Sequence, residues 1–587
     1  FLFILRTVIG KTRNGEIKME SEMKTKTKKG VTLLVEALKN EGVEVLFGYP
    51  GGAVLHIYDE FYKSESNHVL TRHEQGAVHA ADGYARATGK PGVCIVTSGP
   101  GATNALTGIA TAQMDSIPLI VITGQVHEAG IGKDAFQETD MIGMTTPVTK
   151  YNYQVRDAKD IPRIIHEAFY LANTGRKGPV VIDIPKNIGV QEVECEDCTE
   201  NIGPVRNLPG YNPECLPVPE QVAKVNEAIA ASKKPIILAG QGVIHAQAEK
   251  ELLAFAEYYQ IPVVNTLLGL GSFPVKHELA LGMGGMHGSY ASNMALMECD
   301  LLLNFGARFD DRVASDPTNF APEAVIVHVD IDNAEIGKIM HTDIPVLSDA
   351  KLALLMLNDT KLAEVPDHSV WFNHVMDNKK QHPFRYEKSD TFIKPQHVVE
   401  YIGELTNGEA IVVTDVGQHQ MWAAQYYPFT RGKQLLTSGG LGTMGFGIPA
   451  AIGAKMAYPD KTVVCFVGDG GFQMTNQELA ILNANRLDVK YFILNNEVLG
   501  MVHQWQHLSY DGRFSHSEIP DSPDFVKLAD AYGITAARVS DPDEVDEAIQ
   551  TALDYPGPYV LDILISKDEL VLPMVASGRP NNEMKGV

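Results

Sequence analysis

Two apolar runs in the last third of the chain each end on a residue that can hold a cation. The first, Lys461 to Val467, breaks into Gly468-Asp469-Gly470, with a carboxylate at the centre of a glycine turn. The second, Tyr491 to Leu494, ends on Asn495-Asn496, and Val498 follows closely. A carboxylate, an amide oxygen and a backbone carbonyl are hard oxygen donors of the kind Mg²⁺ accepts when it joins a protein to phosphate oxygens. Near-continuous apolar runs suit strands buried in a parallel sheet, and a helical stretch from Thr475 to Asn485 makes the segment one strand-helix-strand unit. Open α/β sheets bind ligands at the carboxyl ends of their strands, where Asp469 and Asn496 fall. Gly-Asp-Gly alone is also an ordinary turn; the asparagines ending the next strand argue for a metal and phosphate site.

Glu74 is the second carboxylate of interest, in Arg72-His73-Glu74-Gln75-Gly76-Ala77, where a strand-like segment gives way to a small-residue helix. It reads either as a capping or surface carboxylate or as a buried one facing a ligand. Glycine-bearing turns lie on either side, at Tyr49-Pro50-Gly51-Gly52 and from Ser98-Gly99-Pro100-Gly101 to Asn104. Similar turns precede the metal unit, Asp415-Val416-Gly417-Gln418-His419 and Ser438-Gly439-Gly440-Leu441-Gly442-Thr443-Met444. In the middle of the chain, strands end at Gly240-Gln241-Gly242, Gly306-Ala307-Arg308 and Asp330-Ile331-Asp332, and Met286-His287 is flanked by glycines. No Gly-x-Gly-x-x-Gly occurs there, so the standard dinucleotide fingerprint is missing. Taken singly, such middle-chain turns are structural more often than functional.

Positioning these turns takes strands that alternate with helices, which predicts an α/β protein of three doubly wound domains with mostly parallel sheets. The expected order is a disordered extension (1–29), a first domain (30–190), a linker (191–218), a middle domain (219–360), a second linker (361–394), a third domain (395–570) and a mobile C-terminal tail (571–587). A length of 587 residues is too great for one core. A net charge of −24 argues against a nucleic-acid surface and leaves anionic ligands to local devices. Six scattered cysteines form no disulfide framework, and Cys195-Glu196-Asp197-Cys198 lacks a second pair for zinc, so a cytoplasmic setting is expected. No apolar run approaches the ~20 residues of a membrane helix.

With these motifs laid out, residues from about 30 to 580 resemble the catalytic subunit of the acetohydroxyacid synthase (acetolactate synthase) family of thiamine-diphosphate enzymes. The motifs are RHEQGA, SGPGATN and AFQETD in the first domain, GMHG and GARFDDR in the second, and SGGLGTMGFG, GDGGF and NNEVLGMVHQWQ in the third. The resemblance implies thiamine diphosphate with Mg²⁺ on Asp469, Asn496 and the Val498 carbonyl, and a non-redox FAD in the middle domain. Glu74 would face the pyrimidine ring. Pro50, Pro100, Asn104, Val416, Gly417, Gln418, His419, Gly442, Met444, Gly470 and Gly471 would line the cofactor. Phe136, Gln137, Lys186, Arg312, Met501 and Trp505 would surround the substrates, with Arg312 gripping the acceptor carboxylate. FAD would meet Arg176, Gly240, Gly242, Thr266, Leu267, Met286, His287, Gly306, Arg308, Asp330, Ile331 and Asp349. His503 stands where that family suggests a more basic residue.

The implied reaction decarboxylates pyruvate and joins the two-carbon unit to a second pyruvate or to 2-oxobutyrate, on the route to isoleucine, valine and leucine. The implied assembly is a homodimer with shared active sites, or a tetramer of it, with a small regulatory subunit and neither nucleic acid nor membrane. Competing expectations are an FAD-free catabolic acetolactate synthase, a pyruvate oxidase, a simple decarboxylase, and a non-catalytic scaffold on the same fold. Intact Glu74, Asp469 and Asn496 argue against the scaffold.

Overall fold

In a computed structural model, residues 26–195, 202–205 and 208–587 are described. They build three six-stranded parallel sheets flanked by helices. Fully buried apolar strands such as Leu119–Gln125 (LIVITGQ) and Val489–Asn495 (VKYFILN) sit at the sheet centres, as expected where helices cover both faces. Counting strands in chain order within each sheet, the first and third domains share the order 2-1-3-4-6-5, and the middle domain has 3-2-1-4-5-6.

Strand order decides where ligands go, because a crevice opens where the chain reverses its direction of winding. In the first domain that point lies between Leu46–Tyr49 and Gly92–Val96, so Pro50 and Ser98-Gly99-Pro100 stand at its edge. In the middle domain it lies between Pro235–Ala239 and Leu301–Phe305, followed by Gly240 and Gly306. In the third it lies between Ile411–Thr414 and Val463–Gly468, followed by Asp415 and Asp469. All three crevices carry turns singled out by residue type alone.

The first and third domains pack through helices Glu74–Thr88 and Gly447–Ala457. Glycines permit the approach: a Cβ on Gly83 would run into the Ala450 carbonyl, and one on Gly453 into that of Ala80. One apolar core runs through both domains, from Phe47 and Val96 to Val467 and Ile493.

Three expectations are corrected. The span 361–394, expected as a linker, contains the helix Ser369–Gln381, whose Trp371 is buried in a middle-domain core and donates to the Pro235 carbonyl at 3.0 Å. The tail 571–587, expected to be mobile, packs back: Val571 and Val575 are buried, and Asn581 donates to the Val313 carbonyl at 2.8 Å. Within the expected N-terminal extension, Lys26–Lys29 form a strand paired antiparallel with Glu192–Cys195, a segment expected as linker. The rest of that extension, and Cys198 of the cysteine pair, lie outside the described residues. No helix among the described residues is long and apolar enough to cross a membrane.

Candidate active site

Asp469 is not at the centre of a turn but is the first residue of a helix, Asp469–Thr475, where a carboxylate complements the helix N-terminus. Its side chain is buried and Oδ2 has no hydrogen-bond partner. Burial pushes the carboxyl up to about 7, the behaviour of an acid that lacks a countercharge. Asn496, which follows the neighbouring parallel strand Val489–Asn495, is buried too, and its Nδ2 donates to Gln418 Oε1 at 3.1 Å, which leaves Oδ1 as the free end of the amide. Val498 forms an isolated antiparallel bridge with Glu518, flanked by Leu499 N–H to Ser517 O (2.7 Å) and Ile519 N–H to Glu497 O (2.8 Å). In such a pair the bridging residue's own carbonyl turns away from its partner strand. One carboxylate, one amide oxygen and one carbonyl at this edge fit a hard cation such as Mg²⁺.

The neighbouring turns close on the same edge. A Cβ on Gly468 would meet His419 Nδ1 at 3.0 Å, and one on Gly470 would meet Leu499 at 2.7 Å and Met444 Cε at 3.7 Å. Helices Gln418–Tyr426 and Gly500–Ser509 also begin here, so their free N–H groups add a setting suited to a diphosphate. Asp415, which opens one of the turns picked out in the sequence but received no role there, ties these turns together. Its buried carboxylate accepts the amides of Val416 (2.9 Å), Gly445 (3.0 Å) and Gly447 (2.8 Å), and a Cβ on Gly471 would press on it at 2.5 Å. Burial keeps His419 neutral, with its pKa lowered to about 3.

Glu74 is the first residue of Glu74–Thr88 and is 9% exposed. Asn104 Nδ2 donates to its Oε2 at 3.0 Å, and a Cβ on Gly101 would run into Thr97 at 2.7 Å and crowd Oε1 at 3.1 Å. Gln137, at φ 61°, packs on Gly99, where an added Cβ would come within 2.9 Å of it. Next to it, Phe136 is 89% exposed. Lys186 is exposed at the start of the helix Lys186–Val190.

A cavity of ≈1340 Å³ lies where all three domains meet, beyond the ~300–1,000 Å³ common for one small ligand. Eleven of the twelve expected FAD residues line it: Arg176, Gly242, Thr266, Leu267, Met286, His287, Gly306, Arg308, Asp330, Ile331 and Asp349. Gly240 is the exception; it packs against Gly306, where a Cβ would strike the carbonyl, and so shapes the crevice without facing it. His287 and His245 line the cavity, with Nδ1 of the first and Nε2 of the second buried without hydrogen-bond partners, and a dinucleotide fits the cavity's size. Arg176 is already engaged, with Asp332 at 2.9 Å and Glu335 at 2.7 Å.

At its third-domain end the same cavity is lined by Val416, Gly417, Gly442, Met444, Met501, Trp505 and the exposed Arg312. His503 does not join them; it is buried and stacks on Phe514 at 3.8 Å. Glu74, Phe136, Gln137 and Lys186 do not line this cavity, and neither do Asp469, Asn496, Val498, Gln418, His419, Gly470 and Gly471. One chain carries two groups of candidate cofactor residues, one around Glu74 at the start of its first-domain helix and one around Asp469 at the start of its third-domain helix.

Comparison with known proteins decides what family has this arrangement. The description "Thiamine pyrophosphate enzyme, N-terminal TPP binding domain" matches residues 28–144, the "central domain" of the same enzymes matches 222–357, and their "C-terminal TPP binding domain" matches 415–563. The acetolactate synthase large subunit of Lactococcus lactis is 53% identical over 576 residues, 97% of this chain and 98% of that protein. This chain belongs to the acetolactate synthase large-subunit family of thiamine pyrophosphate enzymes. Relatives at similar distance include the large subunit of Corynebacterium glutamicum (47% identical, 95% of this chain and 90% of that protein). The chloroplastic acetolactate synthase 1 of Nicotiana tabacum is 47% identical over 94% of this chain and 84% of its own length. Both TPP binding domains match the two domains that carry Glu74 and Asp469.

Proposed function

We propose that this chain is itself an acetolactate synthase. It decarboxylates pyruvate and joins the remaining two carbons to a second pyruvate, giving 2-acetolactate, or to 2-oxobutyrate, giving 2-aceto-2-hydroxybutyrate, in branched-chain amino acid biosynthesis in the cytoplasm. The observation that carries the reading is the buried, partnerless Asp469 Oδ2 beside Asn496 and Val498 at the third-domain crevice. Those three groups would hold Mg²⁺ against the diphosphate, with Gly417, Gln418, His419, Gly470 and Gly471 around it.

When bound, thiamine diphosphate supplies the electron sink that decarboxylation of a 2-oxo acid requires. The chain's own residues position, protonate and exclude water. Glu74, with Oε2 held by Asn104, would offer Oε1 to the cofactor's pyrimidine, and Pro50 and Pro100 shape the turns beside it. Met444, at the cavity wall, would support the bound cofactor. Arg312, exposed at the cavity wall, offers a planar guanidinium to the acceptor carboxylate. Met501 and Trp505 bound the space left for the acceptor's alkyl group. FAD in the middle-domain cavity would be structural, because two 2-oxo acids become one hydroxy acid and CO₂ with no net oxidation.

The working unit in this reading is a twofold homodimer, or a tetramer of it, in which Glu74, Phe136, Gln137 and Lys186 of one chain complete the site of the other. Its support is the 89% exposure of Phe136, an aromatic ring that a second chain would cover, and the exposure of Lys186. A smaller regulatory subunit belongs to the same reading, since the relatives' names call them large subunits. Product analysis tests the function: with thiamine diphosphate, Mg²⁺ and FAD, pyruvate should give 2-acetolactate, and added 2-oxobutyrate the second product. Acetaldehyde or peroxide as the main product would contradict it.

A further inference from the structure

Two buried carboxylates cross the junction between the first and third domains in opposite directions. Asp115, just after helix Leu106–Met114, is 1% exposed and accepts the amides of Gly439 at 3.0 Å and Gly440 at 2.7 Å. Arg86 donates to Asp115 at 2.8 Å and also binds Asp82, which fixes the acceptor from behind. On the same helix, the Thr111 and Thr443 hydroxyls share a hydrogen bond of 2.7 Å. The turn held in this way carries Gly442 and Met444 to the cavity. In the other direction, Glu478 of the third domain is fully buried and accepts the Arg72 amide at 2.9 and 3.2 Å. The His73 amide bonds to it as well, and the next residue is Glu74. Gly76 leaves the space, since a Cβ there would run into the Glu478 carboxylate.

We propose that Asp115 and Glu478 are positioning residues for the cofactor site, each fixing, from the neighbouring domain of its own chain, the backbone that presents a cofactor-facing group. Asp115 sets Gly442 and Met444; Glu478 sets Glu74. This rests on the reading of Glu74, Gly442 and Met444 given above. Simple domain adhesion does not account for the pair. The apolar core between the domains already supplies adhesion, and a buried acid is a costly substitute for an apolar contact. What a carboxylate adds is a fixed location for two or three amide groups at once. Glu478 also follows Asp469 closely on one helical segment, so that segment would hold the metal of one site and, through Glu74, the pyrimidine side of the other.

The test needs no 2-oxo acid. Thiamine diphosphate affinity in saturating Mg²⁺ is read by fluorescence titration, and activation by exchange of the bound cofactor's C2 proton in D₂O, followed by rapid quench and proton NMR. Glu478→Gln puts an NH₂ against an amide donor; exchange should slow about ten-fold while affinity changes little. Asp115→Asn should weaken affinity about ten-fold, and Thr111→Val should do so less. If the two carboxamide variants do not fold, Gly76→Ala, which presses on Glu478, and Thr111→Val carry the two arms. Folded variants with wild-type affinity and exchange overturn the inference. Wild-type protein that does not bind thiamine diphosphate overturns the functional reading beneath it.

Discussion

The amide nitrogen of Asn496 lies 3.1 Å from Gln418 Oε1, and Gln418 in turn donates to Gln504 Oε1 and to the Glu569 carbonyl, each at 2.9 Å. Gln504 is itself anchored by the Val571 amide at 2.8 Å. A chain of amides therefore runs from Val571 in the C-terminal segment to Asn496, whose oxygen would meet the cation. Groups that orient a ligand in this way typically change metal affinity ~10–100-fold when removed. Gln418→Leu should raise the Mg²⁺ concentration for half-saturation by about ten-fold at fixed thiamine diphosphate. Asp469→Ala should abolish cofactor binding in calorimetry. An unchanged Mg²⁺ midpoint in the first, or unchanged cofactor affinity in the second, would remove these residues from the metal site.

The flavin prediction concerns what kind of work FAD does. The cavity that would hold it opens toward Met444 and Trp505, yet the proposed reaction transfers no electrons to an external acceptor. Replacing FAD by a redox-inert analogue should preserve most of the activity. Activity that tracks reduction potential across a series of flavins would refute a structural role.

Trp505 faces the cavity from the helix Gly500–Ser509, one turn after Met501. A ring there should reward the extra methylene of 2-oxobutyrate, a difference worth ~1–3 kcal/mol in an apolar pocket. Trp505→Leu should shift products toward 2-acetolactate when both acceptors compete, with pyruvate decarboxylation little changed. An identical product ratio would count against Trp505 as a specificity residue.

Acid stability follows from buried histidines. His79 is fully buried against Phe446, and burial lowers its pKa from 6.5 to about 3. Between these values the unfolded chain binds a proton that the folded chain does not, so this contribution is whole above pH ~6.5 and is lost as pH falls toward the folded value. Each such histidine adds a slope of about 1.4 kcal/mol per pH unit. His79→Gln should move the midpoint of acid unfolding, read by tryptophan fluorescence, to lower pH. A midpoint that stays put would show that His79 does not set the acid limit.

How far these features show in the sequence depends on how local their causes are. Val463–Gly468 and Val489–Asn495 are visible because a strand buried on both faces prints as an apolar run, and the polar residue that ends it marks the sheet edge. The Gly-rich turns at Pro50, Pro100, Val416 and Gly442 are visible for the same reason. Asp115 and Glu478 are not, because their partners lie hundreds of positions away and only folding brings Gly439 or Arg72 to them. The helix Ser369–Gln381 is weakly periodic, since Trp371 and Val375 carry its buried side almost alone. The tail's order depends on Val313 and Met286, whose carbonyls it binds from another domain.

The central claim is that Glu74 of one chain and Asp469 of another serve a single cofactor. Glu74→Gln and Asp469→Ala chains, each inactive alone, can be mixed under conditions of proven subunit exchange. If sites are shared across a twofold interface, each mixed dimer has one site with both lesions and one with neither, and activity should return to about a quarter of wild type at equal random mixing. If each site is built from a single chain, every site keeps a lesion, and exchange with no recovered activity would contradict the account.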